Sequence, residues 1–435
     1  MATETGENKY VKYGQPSLDL VFTGLKESVT DRVGNVGLEF TRSSTATYVG
    51  SDGLVKSAAV NEARFDHDKD GNGLGLLIEE SRTNELTYSE DFTQSPWTTV
   101  NTTVTANSGT APDGTNTATF LAETNVSNYF GIYYNSSPSF TDCTTTVYVK
   151  ANGRNYCNFY LNVQNRNFAG AMFDLVNLTF TLTEGSESTF TSHSASIEEM
   201  PNGWRKLRLT VDGPSITRPN FILNISSDGS SPNTGQDGRT PAYQGDSTKG
   251  LLIWGTQSEF ASFPTSYIPT TSSTVTRAVD TVSLTGTNFS NWYNGSEGSI
   301  FIDMKRPVGD SNLGGAFLDF HNDAGLFLQD ASGNFIARIG KETAFITLGD
   351  PDTTTDYKIA SSYQSANDFK VSSNGSSVTS ASTAVNFTTA TELHIGRGNN
   401  STTAHYRNGP RTLHLKRFTF WPTRLSDSDL QRLTE

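Results

Sequence analysis

An apolar run, Leu251-Leu252-Ile253-Trp254, gives way to a polar segment punctuated by Pro264 and Pro269. Four apolar residues in a row read as a strand buried on both faces. The prolines that follow lack a ladder donor and hold φ fixed, so neither a helix interior nor a central strand continues through them. A chain that leaves a buried strand in this way, then runs on through Ser-Thr-rich sequence over 270–276, is joining one β unit to another.

The 435 residues are too many for one ordinary core and predict two or three units. Charged residues make up 18% and the hydrophobic set 34%, while aromatics reach 11%, a balance that suits sheets with hydroxyls and amides outside and Phe and Tyr inside. The fold class is therefore all-β: two tandem β-sandwich (jelly-roll) domains after a loop-rich N-terminal attachment region. A net charge of −13 argues against nucleic acid as a partner. No apolar stretch has the ~20 residues of a membrane span, so membrane insertion is not expected. Residues 1–9 are polar and acidic where a secretory signal is basic and then apolar. Cys143 and Cys157 fit neither a disulfide framework nor a metal motif and read as buried small hydrophobes.

Residues 1–83 carry short strand-like runs between Gly and Asp clusters, with too few apolar residues for a core of their own, so they are expected to wrap around or dock onto something else. Over 84–264 strands recur at short spacing, including Trp204-Arg205-Lys206-Leu207-Arg208-Leu209-Thr210-Val211, whose Leu207, Leu209 and Val211 mark a buried face. Residues 265–285 form a Pro/Ser/Thr-rich linker and 286–435 a second jelly roll. Within the latter, Asn374-Gly375 signals a hairpin because both residues tolerate positive φ. Ser426 reads as the cap of a short terminal helix pinned by Leu425, Leu430 and Leu433.

Several motifs carry a family likeness. Phe263-Pro264-Thr265-Ser266-Tyr267-Ile268-Pro269-Thr270, followed by Thr276-Arg277-Ala278-Val279-Asp280, resembles a junction of bacteriophage head spike or head fibre proteins. Phe40-Thr41-Arg42, Ala63-Arg64-Phe65-Asp66-His67-Asp68, Gly75-Leu76-Leu77-Ile78-Glu79-Glu80-Ser81-Arg82-Thr83-Asn84 and Leu86-Thr87-Tyr88 look like the same family, with departures at Glu85 and Lys69. Residues 298–435, with Leu393-His394-Ile395-Gly396-Arg397 and the Trp421-Pro422 ending, resemble a concanavalin A-like or laminin-G-like jelly roll.

Asp66, Asp68 and Asp70 before Gly71 match the start of a calcium loop, but position twelve is Leu77 where a bidentate Glu is needed, which favours a plain turn. The histidines, His321 and His405 among them, fall in no catalytic motif, and Asp303, Asp319 and Asp323 give no distinctive hydrolase pair. Sugar binding has better support. In the strand through Tyr156, Asn158, Tyr160 and Asn162 these residues alternate with Cys157, Phe159, Leu161 and Val163, presenting flat rings between carboxamides on one face. Asn220 and Asn224 extend that face. The alternative is cross-strand packing or an intersubunit contact.

The resemblance implies a phage virion structural protein, a head fibre or spike, made in the bacterial host cytoplasm and displayed on the virion surface. Its partners would be phage capsid or tail proteins through 1–83, host-surface glycan, and further copies of itself, a trimer being the habit of viral fibres. It implies no enzyme activity and no cofactor. A tail fibre or receptor-binding protein, or a secreted polysaccharide-degrading enzyme with binding modules, are the alternatives.

Overall fold

Period-two alternation sets the strands: in Arg205–Ile216, Leu207, Leu209 and Val211 are fully buried, as the pattern predicts. A computed structural model describes residues 11–24, 27–34, 36–134, 140–164, 166–216, 220–232, 238–306, 316–320, 324–329, 335–339, 344–349, 356–364, 368–381, 388–396 and 411–435. They build two antiparallel β-sandwiches. His321, Asp323, Arg397 and His405 lie outside the described residues.

The first sandwich pairs two six-stranded sheets. One runs Ser192–Glu199, Arg205–Ile216, Phe140–Asn152, Gly250–Glu259, Ala118–Glu123, Thr102–Gly109. The other runs Thr179–Glu184, Asn167–Asp174, Tyr156–Gln164, Asn220–Ser226, Phe130–Tyr134, Trp97–Val100. Their inner faces share a core that includes Phe130, Val147, Phe159, Leu207, Phe221 and Ile253.

The second sandwich is not confined to 286–435. Its eight-stranded sheet places Glu297–Lys305 beside Leu413–Trp421, and the latter also pairs with Gly73–Ile78 and with Leu18–Val21. Leu18, Leu20, Phe22, Leu76 and Ile78 enter its core beside Ile300, Ile302, Phe418 and Phe420. Glu39–Thr41 and Thr281–Leu284 form the end of its seven-stranded sheet. The N-terminal segment, set apart at 1–83 from sequence, thus docks onto the C-terminal sandwich over the part described. The cause is the shortage of apolar residues that the sequence shows: a segment that cannot close a core alone completes another.

The 265–285 linker is likewise not slack chain. Val275–Arg277 pairs with Arg82–Asn84, making a two-stranded neck between the sandwiches. Asn84 is fully buried there; its amide donates to the Thr256 and Ile268 carbonyls at 3.0 and 2.9 Å, and its Oδ1 accepts from the Leu86 and Ser258 N–H groups. Beside the neck lies a buried ion network. Arg64 donates to Glu79 at 2.6 Å and to Asp280; Arg42 reaches Asp280 at 3.1 Å and Arg277 reaches Glu79 at 3.0 Å. Ser266 donates to Glu79 through both its N–H and its hydroxyl at 2.7 Å. Burial alone would push the Glu79 carboxyl up, but Arg277, Arg64 and Ser266 overcome this and hold it down at about 2. The motifs that carry the family likeness therefore meet in three dimensions, in a structural role.

Smaller features follow local rules. Asn374 and Gly375 have φ of 44° and 74°, the paired positive values of a type I′ turn, and Ser376 N–H donates to the Ser373 carbonyl at 2.9 Å. Ser426 caps Asp427–Thr434, accepting from the Asp429 N–H, and Leu425, Leu430 and Leu433 seat that helix on Phe301 and Trp421. Cys143 and Cys157 are buried free thiols. The three carboxylates of the calcium-loop pattern turn to separate partners. Asp66 accepts from Val49 N–H and meets His414 at 2.8 Å, Asp68 closes its turn by accepting from Asp70 and Asn72 N–H, and Asp70 pairs with Lys69.

Candidate functional site

Residues directly opposite one another in antiparallel strands point to the same face, so the register fixes who meets on the outer face of the sheet containing Tyr156–Gln164. One row runs Val100, Gly131, Asn224, Asn158, Met172. The next runs Thr98, Tyr133, Ile222, Tyr160, Gly170, and the third Asn220, Asn162, Phe168. The intervening residues, Phe159, Leu161, Phe221 and Leu223, fill the core on the other side.

Glycines stand among large side chains in these rows, Gly131 in the first and Gly170 in the second. At Gly131 an added Cβ would lie 2.2 Å from Asn224 Oδ1, so only glycine leaves room for the Asn224 amide over that row. The backbone at Gly238 covers the other side. Its φ of 80° suits glycine, and a Cβ there would stand 3.0 Å from the Tyr160 and Phe168 rings, so the backbone lies directly on them. What remains between is a cavity of about 480 Å³, within the ordinary range for small ligands. Tyr133, Tyr160, Asn162, Asn220, Ile222 and Asn224 line it, with Tyr129 and Arg239 at the mouth. The Arg239 guanidinium sits 4.5 Å from the Tyr129 ring centroid. Asn224 donates from Nδ2 to the Tyr160 hydroxyl at 3.2 Å, fixing the orientation of both inside the cleft.

Of the six residues read from sequence as a sugar-binding face, four line one cavity: Tyr160, Asn162, Asn220 and Asn224. Asn158 does not join them, although it shares their face. It is fully buried, its amide donating to the Gly238 carbonyl at 2.9 Å and its Oδ1 accepting from the Thr183 hydroxyl at 3.4 Å. Its role is to tie down the covering segment. Tyr156 stands one row beyond, against Gly229. Tyr133 and Arg239 were missed. Tyr133 shares the alternation of Phe130-Gly131-Ile132-Tyr133-Tyr134, where the glycine two residues before an outward tyrosine was the available signal; Arg239 lies in irregular chain with no such pattern.

Rings that stack on C–H faces, amides that pair with hydroxyls and one guanidinium at the rim give an arrangement able to hold a polar, uncharged or anionic sugar. Among the described residues lining the cavity, Arg239 is the only charged one. Elsewhere Asp303 and Asp319 belong to strands of different sheets of the second sandwich.

No family model matches the chain, and no curated protein matches it. Among solved structures, a Trypanosoma rangeli sialidase in complex with 2,3-difluorosialic acid is 13% identical, with a TM-score of 0.27 over 77% of this chain and 62% of that one. The chain thus spans under two thirds of that sialidase's length. The mouse laminin alpha1 chain, domains LG4-5, is also 13% identical, with a TM-score of 0.22 over 68% of this chain and 90% of that one. At these scores the likeness decides neither family nor activity.

Proposed function

We propose that this protein is a glycan-binding adhesin of a phage particle, a head fibre or spike whose first sandwich presents the Tyr133–Tyr160 cleft to host-surface saccharide. The observation that supports it is the convergence of two tyrosines and three asparagines on one sheet-face cavity, with Tyr133 and Asn220 half-buried and the others buried behind them. The virion role draws on the sequence likeness to head spike and head fibre proteins. In this reading the second sandwich, which contains the N-terminal strands, faces the capsid or tail, and several copies act together. Such a cleft holds a sugar weakly, and multivalent display raises retention by orders of magnitude without new contacts.

The test is a glycan array with the full chain, followed by equilibrium titration of the best saccharide. Tyr133→Ala and Asn220→Ala are expected to weaken binding about tenfold each, equivalent to about 1.4 kcal/mol, with unchanged thermal unfolding. Absence of any retained glycan on the folded chain, or affinity indifferent to both changes, would sink the reading. Release of reducing ends from a bound polysaccharide would favour the hydrolase alternative. Immunogold labelling of intact particles tests the virion placement and separates head from tail.

A further inference from the structure

Among the described residues, three of the exposed large hydrophobic side chains, Val176, Phe180 and Leu182, fall on one hairpin of the first sandwich. Its outer arm, Thr179–Glu184, is the last strand of its sheet, so one side of its backbone has no neighbouring strand among the described residues. Phe180 stands opposite Phe173 and Leu182 opposite Ala171, both core residues, so the inner face of the sheet runs on past the core to its edge. There Phe180 is 40% exposed and Leu182 45%.

An open ladder edge is a template for pairing, and the other three edges of this sandwich are blunted against it. Trp97–Val100 is only four residues long, Thr102–Gly109 meets a register shift between Ala118 and Phe120, and Ser192–Glu199 ends in two glutamates. Thr179–Glu184 has none of these devices. Its pairing with Asn167–Asp174 is unbroken, it contains neither proline nor lysine, and Glu184 at its end is its single charge. The backbone groups of this edge follow from one bond: the Gly185 N–H donates to the Phe168 carbonyl at 2.9 Å. Counting back by twos, Thr183, Thr181 and Thr179 bond to the neighbouring strand, which leaves the N–H and C=O groups of Phe180, Leu182 and Glu184 directed to the open side.

We infer that this edge pairs with the same edge of a second copy of the chain, antiparallel about a two-fold axis perpendicular to the sheet. With Thr181 opposite its own copy on the axis, Phe180 faces Leu182 of the second copy and Thr179 faces its Thr183. Apolar side chains then meet on the inner face and hydroxyls on the outer, and the outward N–H and C=O groups of Phe180 and Leu182 bond across the axis. A second copy is the occupant because the strand is complementary to itself in this register and because charge allows it. The whole chain carries −13, yet the two Glu184 side chains fall at opposite ends of the shared ladder, about 20 Å apart and beyond a Debye length. The pairing makes one continuous sheet of two. Seven strand spacings of about 4.8 Å then separate the two Asn220–Ser226 strands, so the two sheet-face clefts open on the same side, roughly 34 Å apart, and can engage one surface together. That consequence rests on the glycan reading; the pairing itself does not.

Sedimentation velocity of the full chain over a range of concentrations is expected to show a monomer–dimer equilibrium. Leu182→Pro removes an outward N–H and Leu182→Lys sets a charge beside the axis, and each should raise the dissociation constant at least tenfold. Neither should unfold the monomer, because the Leu182 backbone makes no ladder bond within its own sheet, whereas Tyr133→Ala should leave the dimer intact. Cysteine reads the register. Thr181 and its copy form a non-hydrogen-bonded pair with Cα atoms about 4.5 Å apart, inside the range of a disulfide. Thr181→Cys should therefore cross-link into a dimer on a non-reducing gel, while Thr179→Cys, roughly 13 Å along the ladder from its copy, should not. Cys143 and Cys157 are buried and do not compete. A chain monomeric at every concentration, an oligomer that survives both Leu182 substitutions, or cross-linking no better at 181 than at 179 would overturn the inference, and each of these results leaves the glycan reading standing.

Discussion

The two sandwiches have the same layered architecture and opposite economies of chain. The first closes both of its sheets with one continuous stretch, from Trp97–Val100 to Gly250–Glu259. The second draws on both ends: Leu20 pairs with Phe418 and Leu76 with Leu415. In chain order the first sandwich is therefore an insertion within the second, entered and left through the neck formed by Arg82–Asn84 and Val275–Arg277. A unit complete in itself can vary its outer face for recognition, while a unit assembled from distant pieces needs strong local fastening where the pieces meet. The buried arginine and carboxylate network lies at that meeting point.

The sharpest way to break the comparison is to cut the chain. A fragment covering 286–435 loses Leu18, Leu20, Phe22, Leu76 and Ile78 from its core. At roughly 1.5–3 kcal/mol for each buried side chain, the loss is comparable to the ~5–15 kcal/mol that holds an entire domain. That fragment is expected to lack a cooperative thermal transition and dispersed amide resonances, whereas a fragment covering 86–262 should show both. Folding of the shorter C-terminal piece would contradict the shared core.

Next in size is the fastening. Arg64→Ala leaves Glu79 and Asp280 buried with one partner fewer and should cost about 3–5 kcal/mol, measured by denaturant unfolding. The loss should appear in the transition of the second sandwich and its neck rather than in that of the first.

The acid limb sharpens the same point. Glu79 has a folded pKa of about 2 against an ordinary 4.5. A depressed carboxylate contributes stability that is fully present above about 4.5 and is lost as the pH falls towards 2. Glu259 works in the opposite direction: burial raises its pKa against the bonds from Thr265, so it gains stability as it protonates. The diagnostic is therefore the difference between variants. Glu79→Gln should flatten the decline of melting temperature between pH 4.5 and 2.5 relative to the unaltered protein, and an identical slope in both would remove Glu79 from the account.

The smallest expected effect concerns the interior of the first sandwich. Burial pushes the Cys143 thiol up to about 11, against the hydroxyls of Ser258 and Thr145. Neither cysteine should react with a thiol reagent at pH 8 until the protein unfolds. Prompt labelling in the native state would show that this core opens locally.

The parts of this architecture that the sequence made legible are those governed by neighbours along the chain. Leu207, Leu209 and Val211 declared their face by alternation, and Ser426 declared its helix by capping. The two faces of Tyr156–Gln164 were legible for the same reason. What alternation could not supply was register and cover. Asn158 and Asn162 share a face, yet a segment eighty residues further on satisfies the first with the Gly238 carbonyl. The placement of Leu18–Val21 was equally hidden, because nothing local to a short apolar strand identifies a partner near the far end of the chain.

That pairing has a mechanical consequence. Leu18 lies opposite Phe420 and Val21 opposite Arg417, so the flanking chain at both ends leaves the ladder on the same side. Tension applied between the two ends peels the ladder open one hydrogen bond at a time instead of shearing it. The pull passes directly from one end to the other through the second sandwich, and the inserted first sandwich bears none of the load until the neck itself gives way.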